Sequence, residues 1–357
     1  MDRGGGMTPS LRIIRPGLLT TIQDLGRAGY QSLGIAVGGA LDPVALRAAN
    51  ALVGNAAGAG AIEVLYFGPT MVVEADEVRM SFAGANAAIE ILPDETSSSG
   101  MRTDTMRSVR LRRGEVVRIG SLSGSLALYV SVEGGFDSEP VLGSVATDLR
   151  GGLGGWQARA LTAGDRLPLR SMRASEREEW RLDGLDLAAP PRVRAIAGPQ
   201  SDYFADSEIA SFFESQYTVG NGSDRQGMRL EGRRLAHARG YNITSDGIAP
   251  GSIQVPGNGQ PIVLLADRQT TGGYPKIATV ISADLPALGR LPIGSKIRFE
   301  PVTIEAAHAA RRTLLAEIER IHERIVPATR PDIADVAPLL HDYNLISGVV
   351  DARSAIM

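Results

Sequence analysis

The chain has 357 residues, 43% hydrophobic and 22% charged, with a net charge of −3 and a pI near 5.9. This composition belongs to a globular chain able to bury a sizeable core, and its mildly acidic balance argues against nucleic acid or an anionic membrane as main partner. There is no cysteine, which excludes disulfides, thiolate catalysis, Cys-ligated zinc and iron–sulfur clusters. Residues 1–10 lack an apolar run of the secretory kind, and no stretch of 18 apolar residues occurs, so a cytoplasmic location is expected. Thirty-five of the 37 basic residues are Arg; only Lys276 and Lys296 are Lys. A position that stays Lys in such a chain suggests a need for a compact ammonium rather than a planar fork.

In chain order, residues 11–27 read as short β-prone pieces broken by Pro16-Gly17 and Gly26. Gln23, Asp24 and Arg27 fall together in a loop, where Asp24 and Arg27 are expected to form either an ion pair or part of a site. Asp42 to Val53 carries the clearest helix signals: Asp42 as N-cap, Pro43 at N1, Gly54 past the end, and Leu41 and Leu46 placed for a hydrophobic staple. From 61 to 170 apolar residues largely alternate, as in Val109, Leu111, Val117, Ile119, Leu126, Leu128, Val130 and Val132, which predicts a barrel or sandwich. The charged stretch 171–190 reads as a connection. Residues 201–214 predict a helix with Phe204, Ile209, Phe212 and Phe213 on its apolar side, and a last helix runs from about Glu305 to Ile325. A tail with an apolar patch at Leu345–Val350 follows and is expected to dock on the body or on a partner. The domain division is therefore 11–175, 190–302 and 303–357.

The segment with the densest chemistry is Asp267-Arg268-Gln269-Thr270-Thr271-Gly272-Gly273-Tyr274-Pro275-Lys276, just after the apolar strand 262–266. Its two glycines suggest a turn through positive φ and a close backbone approach to a ligand. The order of anchors in the two halves suggests an internal duplication: Ala83-Gly84 with Ala197-Gly198, 113–117 with 250–254, 128–136 with 264–274, and 163–167 with 293–297. On this alignment Gly134-Gly135-Phe136 and Gly272-Gly273-Tyr274 are equivalent. Two facing β-domains would leave a cleft at their junction.

Standard nucleotide signatures are missing. Gly272 to Lys276 lacks the phosphate-loop spacing, and Gly152–Trp156 is not a dinucleotide fingerprint and reads as a turn. His237, His308, His322 and His341 show no ligand spacing, so no metal site is expected.

Several motifs together resemble one family: Gly17–Arg27, Ala49–Asn55, Val132–Phe136, Gly198–Gln200, Ser245–Gly247 and the 267–276 loop. They are similar to the group called allophanate hydrolase subunit 2, or KipA-like, which includes the C-subunit of 5-oxoprolinase and the carboxyltransferase domain of urea carboxylase. The resemblance implies a mainly β fold of two cyclophilin-like β-barrels and a KipI-like partner, the B-subunit. For 5-oxoprolinase it implies a further LamB/YcsF-like partner, the A-subunit, and ATP-dependent opening of 5-oxo-L-proline to L-glutamate, with ATP held here or on a partner. The alternatives are a biotin-dependent carboxyltransferase component and a KipA-type regulator of a kinase. Neither Lys is Met-flanked, so biotin would arrive on another chain, and the Ser-Ser-Lys apparatus of an amidase is missing.

On this reading the catalytic candidates are Arg268, Lys276, Asp267 and Asp246. Those for binding a small-molecule substrate are Gln269, Thr270, Thr271, Gly272, Gly273, Tyr274, Ser245, Gln23, Asp24, Arg27, Arg225 and Arg229. Cations and N–H donors of this kind suit phosphoryl oxygens and equally a carboxylate or enolate, so the residues leave phosphoryl and carboxyl chemistry both open.

Overall fold

In the computed structural model the described residues are 8–190 and 192–328. The patch at 345–350 and His341 lie outside them. Alternation of apolar residues produces β-structure in both halves, as expected. The first half is an eleven-stranded sheet dominated by two long antiparallel strands, Glu77–Leu92 and Val116–Val132, paired from Met80↔Val132 to Leu92↔Val116. The register shifts twice, between Gly84 and Asn86 and between Ala87 and Ile89. Such shifts bend strands and let a long sheet curl around one core. That core holds Leu11, Ile13, Phe82, Leu111, Ile119 and Val130, all buried.

The second half is a closed barrel of seven strands, in the order Val193–Ala197, Lys276–Val280, Ser252–Gln254, Ile262–Leu264, Gly227–Glu231, Gln216–Val219 and Lys296–Pro301. Its interior contains Tyr217, Met228, Ile253, Ile277 and Phe299, and Phe212 stacks on Phe299 with ring centroids 4.9 Å apart.

Helix α1, Pro43–Leu52, joins the two halves. Asp42 caps it by accepting from the N–H groups of Val44 and Ala45, and Gly54 takes φ +72° beyond its end. Its Ala-rich face packs against the long strands, and its buried residues continue into the apolar cluster of the barrel. Leu46 and Leu52 are fully buried, each contributing roughly 1.5–3 kcal/mol relative to exposure. Asn50, polar in that interior, accepts from Ser131 at 2.8 Å and donates to Ala59 O at 2.8 Å.

The other helices depart from expectation in their ends. Residues 201–214 split into a 3-10 turn, Ser201–Tyr203, and α2, Asp206–Glu214. A short α3 spans Leu285–Leu288. The last helix, α4, runs Ile304–Glu319, tightens to a 3-10 turn over Arg320–Arg324, and gives way to a strand, Ile325–Pro327. That strand pairs with Trp180–Leu182, which joins the first sheet at Arg107. The charged stretch 171–190 is thus more than a connection. Its Glu179 accepts from the buried Arg79 at 2.9 Å and from Ser108 at 2.6 Å.

The strand pairing revises one sequence anchor. The strand beside Gly84 is 127–132, which leads into Gly134-Gly135. The strand beside Gly198 is Lys276–Val280, which follows the 267–276 loop instead of preceding it. The two Gly-Gly-aromatic segments therefore occupy different places. Their backbones differ too: Gly134 and Gly135 sit at φ +80° and +81°, whereas neither Gly272 nor Gly273 has positive φ.

Candidate active site at the junction of the halves

The 267–276 segment leaves the strand Ile262–Leu264, crosses the barrel mouth, and returns as the strand beginning at Lys276. A two-stranded ladder, Asp246↔Gly272 and Gly247↔Thr271, fixes its tip. Ile248 N donates to Thr270 O and Ile243 N to Gly273 O. The reason for glycine at 272 is space and not backbone twist: a Cβ there would stand 2.7 Å from Ile248 Cδ1 and 2.8 Å from Gln254 Nε2. At 273 the Cβ position opens towards Ser245 Oγ, 3.9 Å away.

Lys276 is almost fully buried, yet its ammonium reaches Asp246 Oδ2 at 2.8 Å and Gly247 O at 3.1 Å. Gln200 Nε2 donates to the same carboxylate oxygen at 3.1 Å. Lys276 first, then Gln200 and the Gly247 N–H, hold the Asp246 carboxyl below the usual carboxylate range. The two sequence-predicted groups Lys276 and Asp246 are thus one unit. Gln200, from the Gly198-Pro199-Gln200 motif, belongs with them and was missed as a site residue.

Arg268 is buried, with Nε donating to Ile248 O at 3.2 Å and Nη1 to Leu265 O at 3.3 Å. It has no carboxylate partner among the described residues, and burial pulls its pKa below the ordinary guanidinium value. A buried guanidinium held only by carbonyls remains free to stabilise an added anion. Gln269 accepts from Gln226 at 2.7 Å, and Tyr274 and Thr271 are exposed at the rim.

Asp267 and Arg225 are drawn into a different structure. Arg225 donates to both Asp267 oxygens, at 2.8 and 2.9 Å, to Gly39 O at 2.6 Å, and to Glu63. Glu63 accepts from Tyr129 Oη at 2.6 Å and from Leu41 N at 2.9 Å. Tyr129 Oη in turn accepts from Asp42 N, and Asp42 binds Arg290 at 2.6 Å. This chain of buried groups stitches the first sheet to the barrel. Burial alone would lower the Arg225 pKa, but Glu63 and Asp267 outweigh it and the net shift is upward. Burial, Glu63 and Asp42 push the Tyr129 phenol well up. Asp267 and Arg225 therefore read as the frame of the site.

Of the two alternatives for Asp24 and Arg27, the ion pair does not form. Asp24 accepts from Gly26 N, Ser144 Oγ and Val145 N, each at 2.7 Å. Arg27 donates instead to Ala146 O, and Gln23 to Thr147 O at 3.1 Å. Gly38 links this loop to the other: a Cβ there would lie 3.5 Å from Arg27 Nη1 and 3.7 Å from Asp267 Oδ1. The fold thus brings Arg27 and Asp267 to either side of one glycine. Arg229 is exposed and donates to Gly222 O at 2.9 Å, on its own turn. Among the described residues no group of three or more His, Asp or Glu is placed to hold a metal ion.

Comparison with known proteins places this architecture. The family model described as carboxyltransferase domain, subdomain A and B, matches residues 33–301. The chain is 38% identical over 317 residues to the 5-oxoprolinase C-subunit of Escherichia coli (strain K12), covering 88% of this chain and 98% of that protein. The 5-oxoprolinase C-subunit of Haemophilus influenzae is also 38% identical, over 84% of this chain and 95% of that one. Urea amidolyase of Saccharomyces cerevisiae is 29% identical over 85% of this chain, but only 17% of its own length is matched. The crystal structure of the K. lactis urea amidolyase superposes with a TM-score of 0.78 at 25% identity, over 92% of this chain and 21% of that one. On the family match and the near end-to-end relatives, the chain belongs to the carboxyltransferase-domain family, subdomains A and B.

Proposed function

We propose that this chain is the C-subunit of a 5-oxoprolinase. It would act with a KipI-like B-subunit and a LamB/YcsF-like A-subunit in ATP-dependent hydrolysis of 5-oxo-L-proline to L-glutamate. One observation carries the reading: its 38% identical relatives of that name are matched over 98% and 95% of their length. The urea amidolyase is matched over a minor part of its length.

The geometry around Lys276 suits the chemistry. A lactam carbonyl is a poor electrophile, and ATP would supply a phosphoryl group to its oxygen. The lactam oxygen would attack the γ-phosphorus with ADP leaving. Water would add to the activated carbon, and loss of phosphate and cleavage of the ring C–N bond would give glutamate. The negative charge lies on the phosphoryl and leaving-group oxygens, and buried cations stabilise such charge far better than solvated ones. Lys276 and Arg268 are two such cations. Asp246, itself held by Gln200, and the Gly247 carbonyl position the ammonium, and the Gln269–Tyr274 rim would orient the ring.

The test is to combine the purified chain with its KipI-like and LamB/YcsF-like partners and follow glutamate and ADP. Glutamate formed in step with ADP supports the reading, and no turnover with all three present refutes it. A second reading, carboxyl transfer from biotin carried on another chain, is favoured by the family model's own description and by the fit to the urea amidolyase structure. Carboxyl transfer from a biotinylated partner, without glutamate formation, would select it.

A further inference from the structure

Two buried side chains of one loop, Arg27 and Gln23, are only part-satisfied by the protein. Arg27 is 1% exposed, and its Nε and Nη1 have no acceptor among the described residues. Gln23 is fully buried, and its Oε1 has no donor among them. The two side chains are anchored on consecutive carbonyls, Arg27 on Ala146 O and Gln23 on Thr147 O. Buried polar groups are nearly always satisfied, and a buried guanidinium with two unpartnered nitrogens is costly to maintain without use.

Two glycines border the guanidinium. Gly154 packs directly on it, so that a Cβ there would stand 2.6 Å from Arg27 Nη2. At the half-buried Gly38 it would fill the space in front of Nη1, 3.5 Å away. The carboxylate across that space, Asp267, has both oxygens bound by Arg225 and forms no ion pair with Arg27. Asp24, on the same loop, is likewise occupied by Gly26, Ser144 and Val145.

We infer that Arg27 and Gln23 form a receptor for a small carboxylate that carries an N–H beside it, entering over Gly38. The guanidinium would take the carboxylate by charge-assisted hydrogen bonds, and the Gln23 carbonyl would accept the neighbouring N–H. N-acylated amino acids and cyclic amide acids share this pattern. For 5-oxoproline the inference rests on the function proposed above and makes this the subsite that binds its carboxylate and ring N–H, across the junction from Lys276. For the ligand class as a whole it stands independently.

The test is calorimetric titration of the full chain with N-acetylglycine, 5-oxo-L-proline, acetate and N-methylacetamide. We expect N-acetylglycine to bind at least 10-fold more tightly than acetate, and N-methylacetamide, which has no carboxylate, to show no binding. Arg27→Met should weaken N-acetylglycine at least 50-fold. Gly38→Ala, which keeps both side chains but places a methyl 3.5 Å from Arg27 Nη1 at a strained φ of +63°, should weaken it at least 10-fold and, with a thermal melt to confirm folding, serves if Arg27→Met fails to fold. Failure of both carboxylate amides to bind the wild-type chain would overturn the inference. Unchanged affinity in either folded variant would do the same. If N-acetylglycine binds through Arg27 but 5-oxoproline does not, the receptor stands and the 5-oxoprolinase reading is the one in trouble.

Discussion

Arg225 grips Asp267 through two parallel N–H···O contacts, Nε to Oδ2 at 2.8 Å and Nη2 to Oδ1 at 2.9 Å, with both side chains buried. The same guanidinium also holds Glu63, 162 positions earlier in the chain. One cation thus bridges one carboxylate from each half. Removing it leaves two buried carboxylates facing each other unpaired. Arg225→Met should therefore destabilise the chain by about 3–5 kcal/mol, read by urea denaturation. A loss under 1 kcal/mol would mean that the halves are held together mainly by their apolar contact.

Gly198 packs beside the strand that begins at Lys276, and a Cβ there would come within 2.1 Å of the Lys276 carbonyl oxygen. That atom belongs to backbone and cannot rotate away. Gly198→Ala should cost about 1–3 kcal/mol by overpacking and should also displace the ammonium from Asp246. Denaturation and turnover, measured on the same preparation, should both fall. Full activity in a destabilised variant would show that Lys276 tolerates displacement.

The Lys276–Asp246 contact predicts a pH limit. Asp246 titrates lower when folded than when unfolded, because Lys276, Gln200 and Gly247 N–H favour its charged form. The stabilisation it brings is present above the unfolded value of about 3.9 and is lost as pH falls through the lower folded value. Carboxyl-carbon NMR should find Asp246 titrating below that value in the wild-type chain and moving back up in Lys276→Met. No upward move would mean that Gln200 and the backbone set the shift.

Asp165 offers a second acid-sensitive point. Arg159 foremost, helped by Thr162 N–H, holds its pKa at about 2. Its contribution is complete above about pH 3.9 and fades towards pH 2. Asp165→Asn should remove about 1 kcal/mol at neutral pH, a figure reduced for the partial exposure of Arg159, and almost nothing near pH 2. Equal losses at both pH values would point to a geometric rather than an ionic effect.

What the sequence revealed was mostly what short-range rules encode. Helix α1 could be read because Asp42, Pro43 and Gly54 are local signals, and the β-character of both halves because alternation is local too. The site loop stood out because its side chains are crowded in ten residues. The frame of the site is different in kind. Arg225 to Glu63, and Arg27 to Ala146, join residues 162 and 119 positions apart, and no local pattern announces them. The Asp24–Arg27 pair misled because charge proximity in sequence says nothing of direction. Each side chain found better-placed backbone partners. Glycine at 272 also misled: glycine can mean positive φ or merely lack of room, and only packing against Ile248 and Gln254 tells which. Gln200 had a signal, since it ends a family motif, but a lone amide has no chemistry that spacing alone can flag.

The central claim is that the cations of the 267–276 loop act in chemistry and not in folding. Steady-state kinetics of Lys276→Met in the complex with its partner proteins, with a thermal melt of the same protein, tests it most directly. Asp246 is exposed to solvent and tolerates the loss of its partner. The melt should therefore stay within about 2 °C of wild type, while kcat falls at least ~100-fold. Near-wild-type turnover, or loss of turnover only in step with unfolding, would contradict the claim.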